Sequence, residues 1–210
     1  MLYRFFQTVG QVLLVLFFDY RFYGIRKVPK SGPVIIASNH QSFMDPVVVG
    51  VPLNRRFASM ARESLFKHPV LERVLRSLGS FPLSRGNADL GAMREGLRVL
   101  KGGGLLLLFP EGTRTFDGKV GELHPGLAVL AGRSGAWVVP TAIDGAYECW
   151  PRRRLLPRPG RVRVAYGRPM KYVGHGSEGA EEFMRELRAR IEKLQTGLRD
   201  GSIQRGRKDL

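Results

Sequence analysis

The sequence predicts an α/β domain built on a central, mainly parallel β-sheet flanked by helices. Short apolar runs alternate along the chain with longer stretches of helical periodicity. The runs 33–37, 105–109 and 137–143 are almost wholly apolar, as is typical of strands buried on both faces of a sheet. Polar clusters follow the predicted strands that end near residues 37, 83 and 109. Open α/β sheets place ligands at the carboxyl ends of strands, so we expect these three clusters to converge on one crevice.

The composition indicates a basic globular domain. The chain has 210 residues, of which 34 are basic and 18 acidic, so its formal net charge is +16. Such a charge favours a polyanionic partner: nucleic acid, anionic lipid or an acidic carrier protein. No helix-turn-helix, zinc or RNA-binding aromatic signature is present, so we do not expect a nucleic-acid partner. The single cysteine, Cys149, excludes an internal disulfide framework and a cysteine-based zinc site.

Residues 1–24 are predicted to form a membrane-associated helical segment. The first 18 residues resemble a signal peptide, but no small-x-small cleavage site follows, and the run is short for a span of about 20 residues. Helically spaced polar residues and an aromatic cluster favour a helix lying in an anionic membrane interface, at the cytoplasmic face of the cell membrane. These residues are Arg4, Gln7 or Thr8, Gln11, Tyr20, Phe22 and Tyr23. The alternative is a helix packed on the protein's own core.

The remaining elements are predicted in order along residues 25–198, which we expect to form the functional domain. Strands are expected at 33–37, 55–61, 79–85, 105–109, 137–143 and 161–166, and helices at 45–51 and from about 69, 87, 125 and 178. Glycines 102–104 end the helix that begins near residue 87. Residues 199–210 are predicted to be a frayed, basic C-terminal tail.

The stretch 38–46, Ser-Asn-His-Gln-Ser-Phe-Met-Asp-Pro, lies where the first buried strand ends. Ser42 is predicted to cap the following helix, with the Asp45 carboxylate in its first turn. If the chain folds back, Asp45 holds one imidazole nitrogen of His40 and leaves the other as a general base. The alternative for the same residues is a helix cap with a surface histidine nearby.

A second cluster, Glu111-Gly112-Thr113-Arg114, follows the strand at 105–109. Gly112 lets backbone N–H groups approach a ligand closely, and Arg114 suits a phosphate held by two parallel hydrogen bonds. Thr113 adds a hydroxyl, and Glu111 is expected to hold the arginine or to accept a substrate hydroxyl. Arg85, after the neighbouring strand, offers a second positive charge. The alternative is a β-turn with a surface arginine.

These residues resemble the glycerolipid acyltransferase family. The stretch 39–45 resembles that family's His-x4-Asp motif, and the stretch 109–115 is similar to its phosphate-binding Phe-Pro-Glu-Gly-Thr-Arg block. The stretch 79–85 resembles the block between them, although 81–84 departs from the usual aliphatic-aromatic run. The stretch 138–140 resembles the fourth block. The resemblance covers roughly residues 25–170, with the motifs in family order.

The resemblance implies acyl transfer from a thioester co-substrate, acyl carrier protein or acyl-coenzyme A, to a lysophospholipid hydroxyl, with no cofactor and no metal. It assigns catalysis to His40 and Asp45. It assigns the glycerol phosphate to Glu111, Gly112, Thr113 and Arg114, with Arg85. A chain this short fits the sn-2 enzyme of the family, which converts lysophosphatidate to phosphatidate.

Three alternatives stay open from the sequence. The acceptor is a different lysolipid, such as a lyso-ornithine lipid, or the chain is an inactive membrane-surface binding protein. A metal hydrolase that uses His40 and Asp45 is the third, but the other histidines show no ligand spacing. These are His68, His124 and His175.

Overall fold

The computed structural model describes residues 2–83, 90–174 and 176–205. Its strands are β1 (Phe18–Tyr23), β2 (Val34–Ser38), β3 (Phe57–Arg62), β4 (Ser80–Leu83), β5 (Leu105–Leu108), β6 (Trp137–Asp144), β7 (Gly160–Tyr166) and β8 (Met170–Lys171). Its helices are α1 (Leu2–Phe17), α2 (Asp45–Gly50), α3 (Pro69–Ser77), α4 (Leu90–Lys101), α5 (Gly126–Ser134), α6 (Ala146–Cys149), α7 (Gly176–Arg199) and α8 (Ser202–Arg205). Short 3₁₀ helices occupy Ile25–Lys27 and Glu63–Lys67.

All eight strands belong to one sheet, with the order β1-β7-β6-β2-β5-β3-β4 and with β8 paired to β6. The five strands from β6 to β4 run parallel to one another. Strand β7 is antiparallel to β6, and β1 continues the sheet parallel to β7. The predicted α/β architecture with a mainly parallel central sheet is therefore confirmed.

The central strands β2 and β5 separate two hydrophobic cores. Along β2, Ile35 and Ala37 face the core that contains α4, α5 and α7. Val34 and Ile36 face the opposite core, which contains α2 and part of β7. All four side chains are fully buried, so apolar residues are needed at every position rather than at every second one. This explains why the unbroken apolar runs predicted these strands.

The N-terminal region differs from the prediction, because α1 ends at Phe17 and residues 18–23 form strand β1. The expected helical conformation of these residues is wrong, whereas their placement at a membrane interface stays a prediction. Aromatic side chains in an alternating pattern favour a strand, and β1 finds a partner in β7 that local sequence does not reveal. Within this strand, the Tyr20 hydroxyl donates to the backbone oxygen of Val48 (2.6 Å).

Helix α1 also uses its polar residues differently from the prediction. The Gln7 side chain turns inward and donates to the backbone oxygens of Val51 (3.0 Å) and Leu53 (2.9 Å). Several large apolar side chains of the same helix are exposed, namely Phe5, Val9, Val12, Leu13, Val15, Leu16 and Phe17. None of the helices in the described ranges combines the length and the apolar character needed to cross a bilayer. Interfacial membrane association stays a prediction.

The last long helix, α7, buries one face against the sheet and extends through Arg199. The side chain of Arg199 forms an ion pair with Asp144 (2.6 Å) and also donates to the backbone oxygen of Gly118 (2.9 Å). The region predicted as a frayed tail from residue 199 therefore begins as ordered structure and continues into α8. Residues 206–210 lie outside the described residues.

Candidate active site

The site lies at the carboxyl ends of β2 and β5, which are neighbours in the sheet. The two loops that leave these strands are joined through the backbone of His40. Its N–H donates to Glu111 Oε1 (2.9 Å), and its carbonyl accepts from the N–H of Thr115 (2.8 Å). The structure thus brings together two of the three polar clusters that were predicted to converge, and the third, after residue 83, lies outside the described residues.

The side chains of His40 and Asp45 form the predicted pair, with 2.7 Å between Nδ1 and Oδ2. Asp45 is fully buried, and the same Oδ2 also accepts the backbone N–H groups of Gln41 (2.6 Å) and Ser42 (2.7 Å). The His40 ring stacks on Phe109 with 4.2 Å between the ring centroids. These contacts hold the ring and leave Nε2 as the nitrogen able to act as a base.

The turn around His40 closes in a different way from the prediction. Helix α2 begins at Asp45 without a side-chain cap, so the expected capping role of Ser42 is wrong. The Ser42 hydroxyl donates to the backbone oxygen of Trp150 (3.0 Å) and accepts the N–H of Met44 (3.4 Å), the residue before the helix. Burial of a carboxylate is costly unless it accepts hydrogen bonds, and this cost exceeds that of leaving the helix start without a side-chain cap. The backbone N–H groups of this turn therefore donate to Asp45.

Two buried amides beside His40, Asn39 and Gln41, were not identified from the sequence. The Asn39 amide donates to the backbone oxygen of Ile143 (3.0 Å) and accepts its N–H (2.7 Å). The Gln41 amide donates to the oxygen of Gly118 (3.2 Å) and accepts the N–H of Tyr147 (3.3 Å). Polar residues directly after a buried strand were the available signal, but their partners are distant in sequence. Both amides fix the backbone on either side of the histidine.

The Glu111 carboxylate holds backbone groups in place. Besides the N–H of His40, it accepts the N–H of Gly121 at 3.1 Å through its second oxygen, and the residue is buried. Burial raises the pKa of Glu111, and the two N–H donors oppose that rise. The carboxylate thus holds backbone groups rather than Arg114, which makes Glu111 a positioning residue for His40. Its predicted contact with a substrate hydroxyl stays a prediction.

The loop after Glu111 turns at Gly112, whose φ of 65° lies in the left-handed region. A Cβ at this position would lie only 3.0 Å from the ring of His124, so a side chain would crowd the loop. The next residue, Thr113, is exposed to solvent. Gly112 therefore serves the predicted close turn, and Thr113 is accessible to a ligand.

Arg114 is buried, with its guanidinium carbon 3.4 Å from the centroid of the Phe43 ring. Its Nη1 is buried and has no hydrogen-bond partner among the residues that the structure describes. Burial lowers the pKa of Arg114, and the nearby Arg152 and Arg62 lower it further, whereas Asp45 opposes them. A buried cation with an unfilled donor is suited to an anionic ligand.

Arg85 lies outside the described residues, so its predicted role stays a prediction. Of the other site residues predicted from the sequence, His40, Asp45 and the stretch 111–114 lie at the ends of β2 and β5. In the described ranges, no group of three or more histidine, cysteine or acidic side chains is arranged to hold a metal ion.

Comparison with known proteins finds that the chain is similar to acyltransferases in sequence and in fold. Residues 19–144 match the family described as Acyltransferase. The 1-acyl-sn-glycerophosphate (LPA) acyltransferase PlsC from Thermotoga maritima has a similar structure, with a TM-score of 0.82 and 29% identity. That match covers 94% of this chain and 79% of the Thermotoga chain.

Two relatives named 1-acyl-sn-glycerol-3-phosphate acyltransferase illustrate the sequence similarity. The Bacillus subtilis protein is 25% identical over 202 residues, which is 94% of this chain and 98% of the relative. The chloroplastic protein of Arabidopsis thaliana is 29% identical over 179 residues, which is 83% of this chain. The match spans only 49% of the Arabidopsis protein, about half its length.

Proposed function

The chain belongs to the Acyltransferase family, and from this premise we propose that it acylates the sn-2 hydroxyl of lysophosphatidate to give phosphatidate in phospholipid synthesis. The acyl donor is a thioester, either acyl carrier protein or acyl-coenzyme A. The observation that carries the proposal is the direct link between the base and the anion site. His40 is hydrogen-bonded through its backbone to the two ends of the loop that carries Arg114.

In the proposed reaction, His40 Nε2 takes the proton from the acceptor hydroxyl as its oxygen attacks the thioester carbonyl. The C–O bond of the new ester forms, the C–S bond breaks, and the proton passes from the imidazolium to the departing thiolate. Asp45 stabilises the imidazolium through Nδ1 and keeps the ring oriented. The acceptor hydroxyl takes the place that a serine has in hydrolases.

This mechanism uses no covalent acyl-enzyme. Cys149 is buried, and burial raises the pKa of its thiol, which disfavours the thiolate needed by a nucleophilic cysteine. The acceptor's phosphate lies with Gly112, Thr113 and Arg114 in this proposal, and the substrates alone supply the reacting groups. No cofactor takes part.

We also propose that the protein works at the cytoplasmic face of the cell membrane. The exposed apolar side chains of α1 form a surface suited to the acyl-chain region of a bilayer, and the net charge of +16 favours anionic lipid. Because a lysophospholipid resides in the membrane, this placement gives the site direct access to its acceptor.

The proposal is tested by incubating the purified protein with lysophosphatidate and each thioester donor in separate reactions, with product identification by mass spectrometry. We expect phosphatidate from the wild type and a loss of at least about a thousandfold in His40→Ala, because the general base is removed. The control His68→Ala changes an exposed histidine and is expected to keep full activity. Product from other lysolipids but not from lysophosphatidate, or an active His40→Ala, contradicts the proposal.

A further inference from the structure

One arginine outside both motifs reaches the anion site. Arg152 follows α6 and is distant in sequence from the loop at 111–114, yet its Nη1 donates to Thr113 Oγ1 at 3.3 Å. Its guanidinium also lies over the Phe116 ring, 4.8 Å from the centroid. Arg152 is thus in contact with residues on both sides of Arg114.

The segment around Arg152 is anchored to the catalytic turn. The backbone oxygen of Trp150 accepts a hydrogen bond from the hydroxyl of Ser42 (3.0 Å). The Trp150 ring packs against the Phe43 ring, with 5.6 Å between the ring centroids. A turn then forms in which the N–H of Arg154 donates to the oxygen of Pro151 (3.0 Å). These contacts hold the segment that carries Arg152 close to His40 and Arg114.

The two arginines at this point have no ion-pair partner among the described residues, although the Asp45 carboxylate lies close enough to oppose the lowering of the Arg114 pKa. In the described part of the chain, neither Arg114 nor Arg152 forms a salt bridge. The proximity of Arg152 is among the causes that lower the pKa of Arg114. Two neighbouring guanidinium groups repel each other, so an anion between them relieves the repulsion and fills their free donors.

We propose that Arg152 is a second phosphate-binding residue, which acts with Arg114 to hold the acceptor's phosphate monoester as a dianion. This inference rests on the proposed function and extends it to a residue outside the recognised motifs. A phosphate monoester carries a charge of about −1.5 to −2 at pH 7, which two arginines match better than one. Thr113, which is exposed, accepts a hydrogen bond from Arg152 and directly precedes Arg114, so its hydroxyl offers a further polar contact.

The pair of arginines also predicts selectivity. An acceptor without a phosphate, such as a monoacylglycerol, has nothing to place between the two cations. Loss of Arg152 is therefore expected to weaken the binding of lysophosphatidate and to leave monoacylglycerol unaffected. A purely structural role for Arg152 in supporting the loop would change both acceptors alike.

The test measures the Kd of lysophosphatidate and of monoacylglycerol in neutral detergent micelles, for the wild type, Arg152→Ala and Arg152→Met. The methionine variant keeps apolar packing on Phe116 if the alanine variant folds poorly, and thermal unfolding checks both. We expect the Kd of lysophosphatidate to rise roughly tenfold in each variant, because a charge-assisted hydrogen bond is lost. The control Arg153→Ala removes an exposed neighbouring charge and is expected to change Kd less than about twofold.

An unchanged Kd in the Arg152 variants, or an equal loss in Arg153→Ala, overturns the proposal. Binding is measured without turnover, so a wild type that binds lysophosphatidate but makes no phosphatidate counts against the proposed function and not against Arg152. In an active wild type, KM for lysophosphatidate is expected to rise in Arg152→Ala while KM for the thioester is unchanged.

Discussion

The two halves of the site differ in how far their charged side chains find hydrogen-bond partners among the described residues. At the His40 turn, Asp45 Oδ2 has three hydrogen-bond contacts and Glu111 accepts two backbone N–H groups, while the other Asp45 oxygen, Oδ1, is buried without a partner among the described residues. At Arg114, a buried donor has no partner among the described residues. The contacts of the first half position a base, whereas the unpartnered guanidinium of the second half is suited to bind an anion.

Helix α1 shows a similar contrast between buried and exposed apolar side chains. Leu14 is buried against the protein, while Leu13 and Leu16 of the same helix are exposed. Side chains whose hydrogen bonds or apolar contacts are made within the fold contribute to stability and geometry. An unpartnered cation and exposed apolar side chains indicate where substrate or membrane is expected to bind. Substitution of a side chain that has its partners within the fold should therefore reduce kcat or stability. Substitution of an unpartnered or exposed side chain should reduce the binding of substrate or membrane.

The largest effect is expected for Asp45→Asn. The amide lacks the charge that stabilises the imidazolium, and its NH₂ group favours the wrong tautomer of His40. We expect kcat to fall by roughly 10³ to 10⁴ with little change in KM for lysophosphatidate. Steady-state kinetics measure this, with the exposed Asp19→Asn as a control; a large rise in KM with kcat unchanged would place Asp45 in the binding half.

A smaller effect is expected for Glu111→Gln. One of the two backbone N–H groups then faces the amide NH₂ instead of an oxygen, which leaves a buried donor unsatisfied at a cost of about 1–3 kcal/mol. We expect a lower Tm and a fall in kcat of roughly 10- to 100-fold, because the backbone of His40 shifts. The exposed Glu122→Gln in the same loop is the control for thermal unfolding and kinetics. An intact Tm with a raised KM for lysophosphatidate would support direct contact between Glu111 and substrate.

The smallest effect on the chemical step is expected for Leu16→Glu on the exposed face of α1. We expect binding to phosphatidylglycerol vesicles to fall roughly tenfold or more, since burial of the leucine among acyl chains is lost. Turnover of a lysophosphatidate dispersed in detergent should stay near the wild-type value. Vesicle flotation measures binding, and Thr8→Glu, at another exposed position of the helix, is the matched control. Equal flotation of the Leu16→Glu and wild-type proteins would argue against membrane contact through α1.

Local sequence patterns predicted the elements that are buried on both faces and the residues adjacent to them. The apolar runs of β2 and β5 predicted a central sheet, and its geometry explains why His40 and the 111–114 loop meet. The patterns failed where a long-range partner decides the structure. Strand β1 depends on β7, and the role of Glu111 depends on the backbone of His40.

Arg152 shows the same limit within the site. Its sequence context is a run of arginines in a proline-rich connector, which is typical of a solvated surface. Only the contacts of Trp150 with the catalytic turn bring the arginine to Thr113. Arg152 and Arg153 are the same residue type in the same run, and only the fold shows that Arg152 contacts Thr113 whereas Arg153 is exposed.

The most direct test of the account compares binding and turnover in His40→Ala. Equilibrium binding of lysophosphatidate to this variant in neutral detergent micelles should match the wild type within about threefold, while phosphatidate formation falls at least about a thousandfold. That result would show that the base and the anion site are separate parts of one site. A loss of binding equal to the loss of turnover, or turnover close to the wild-type value, would contradict it.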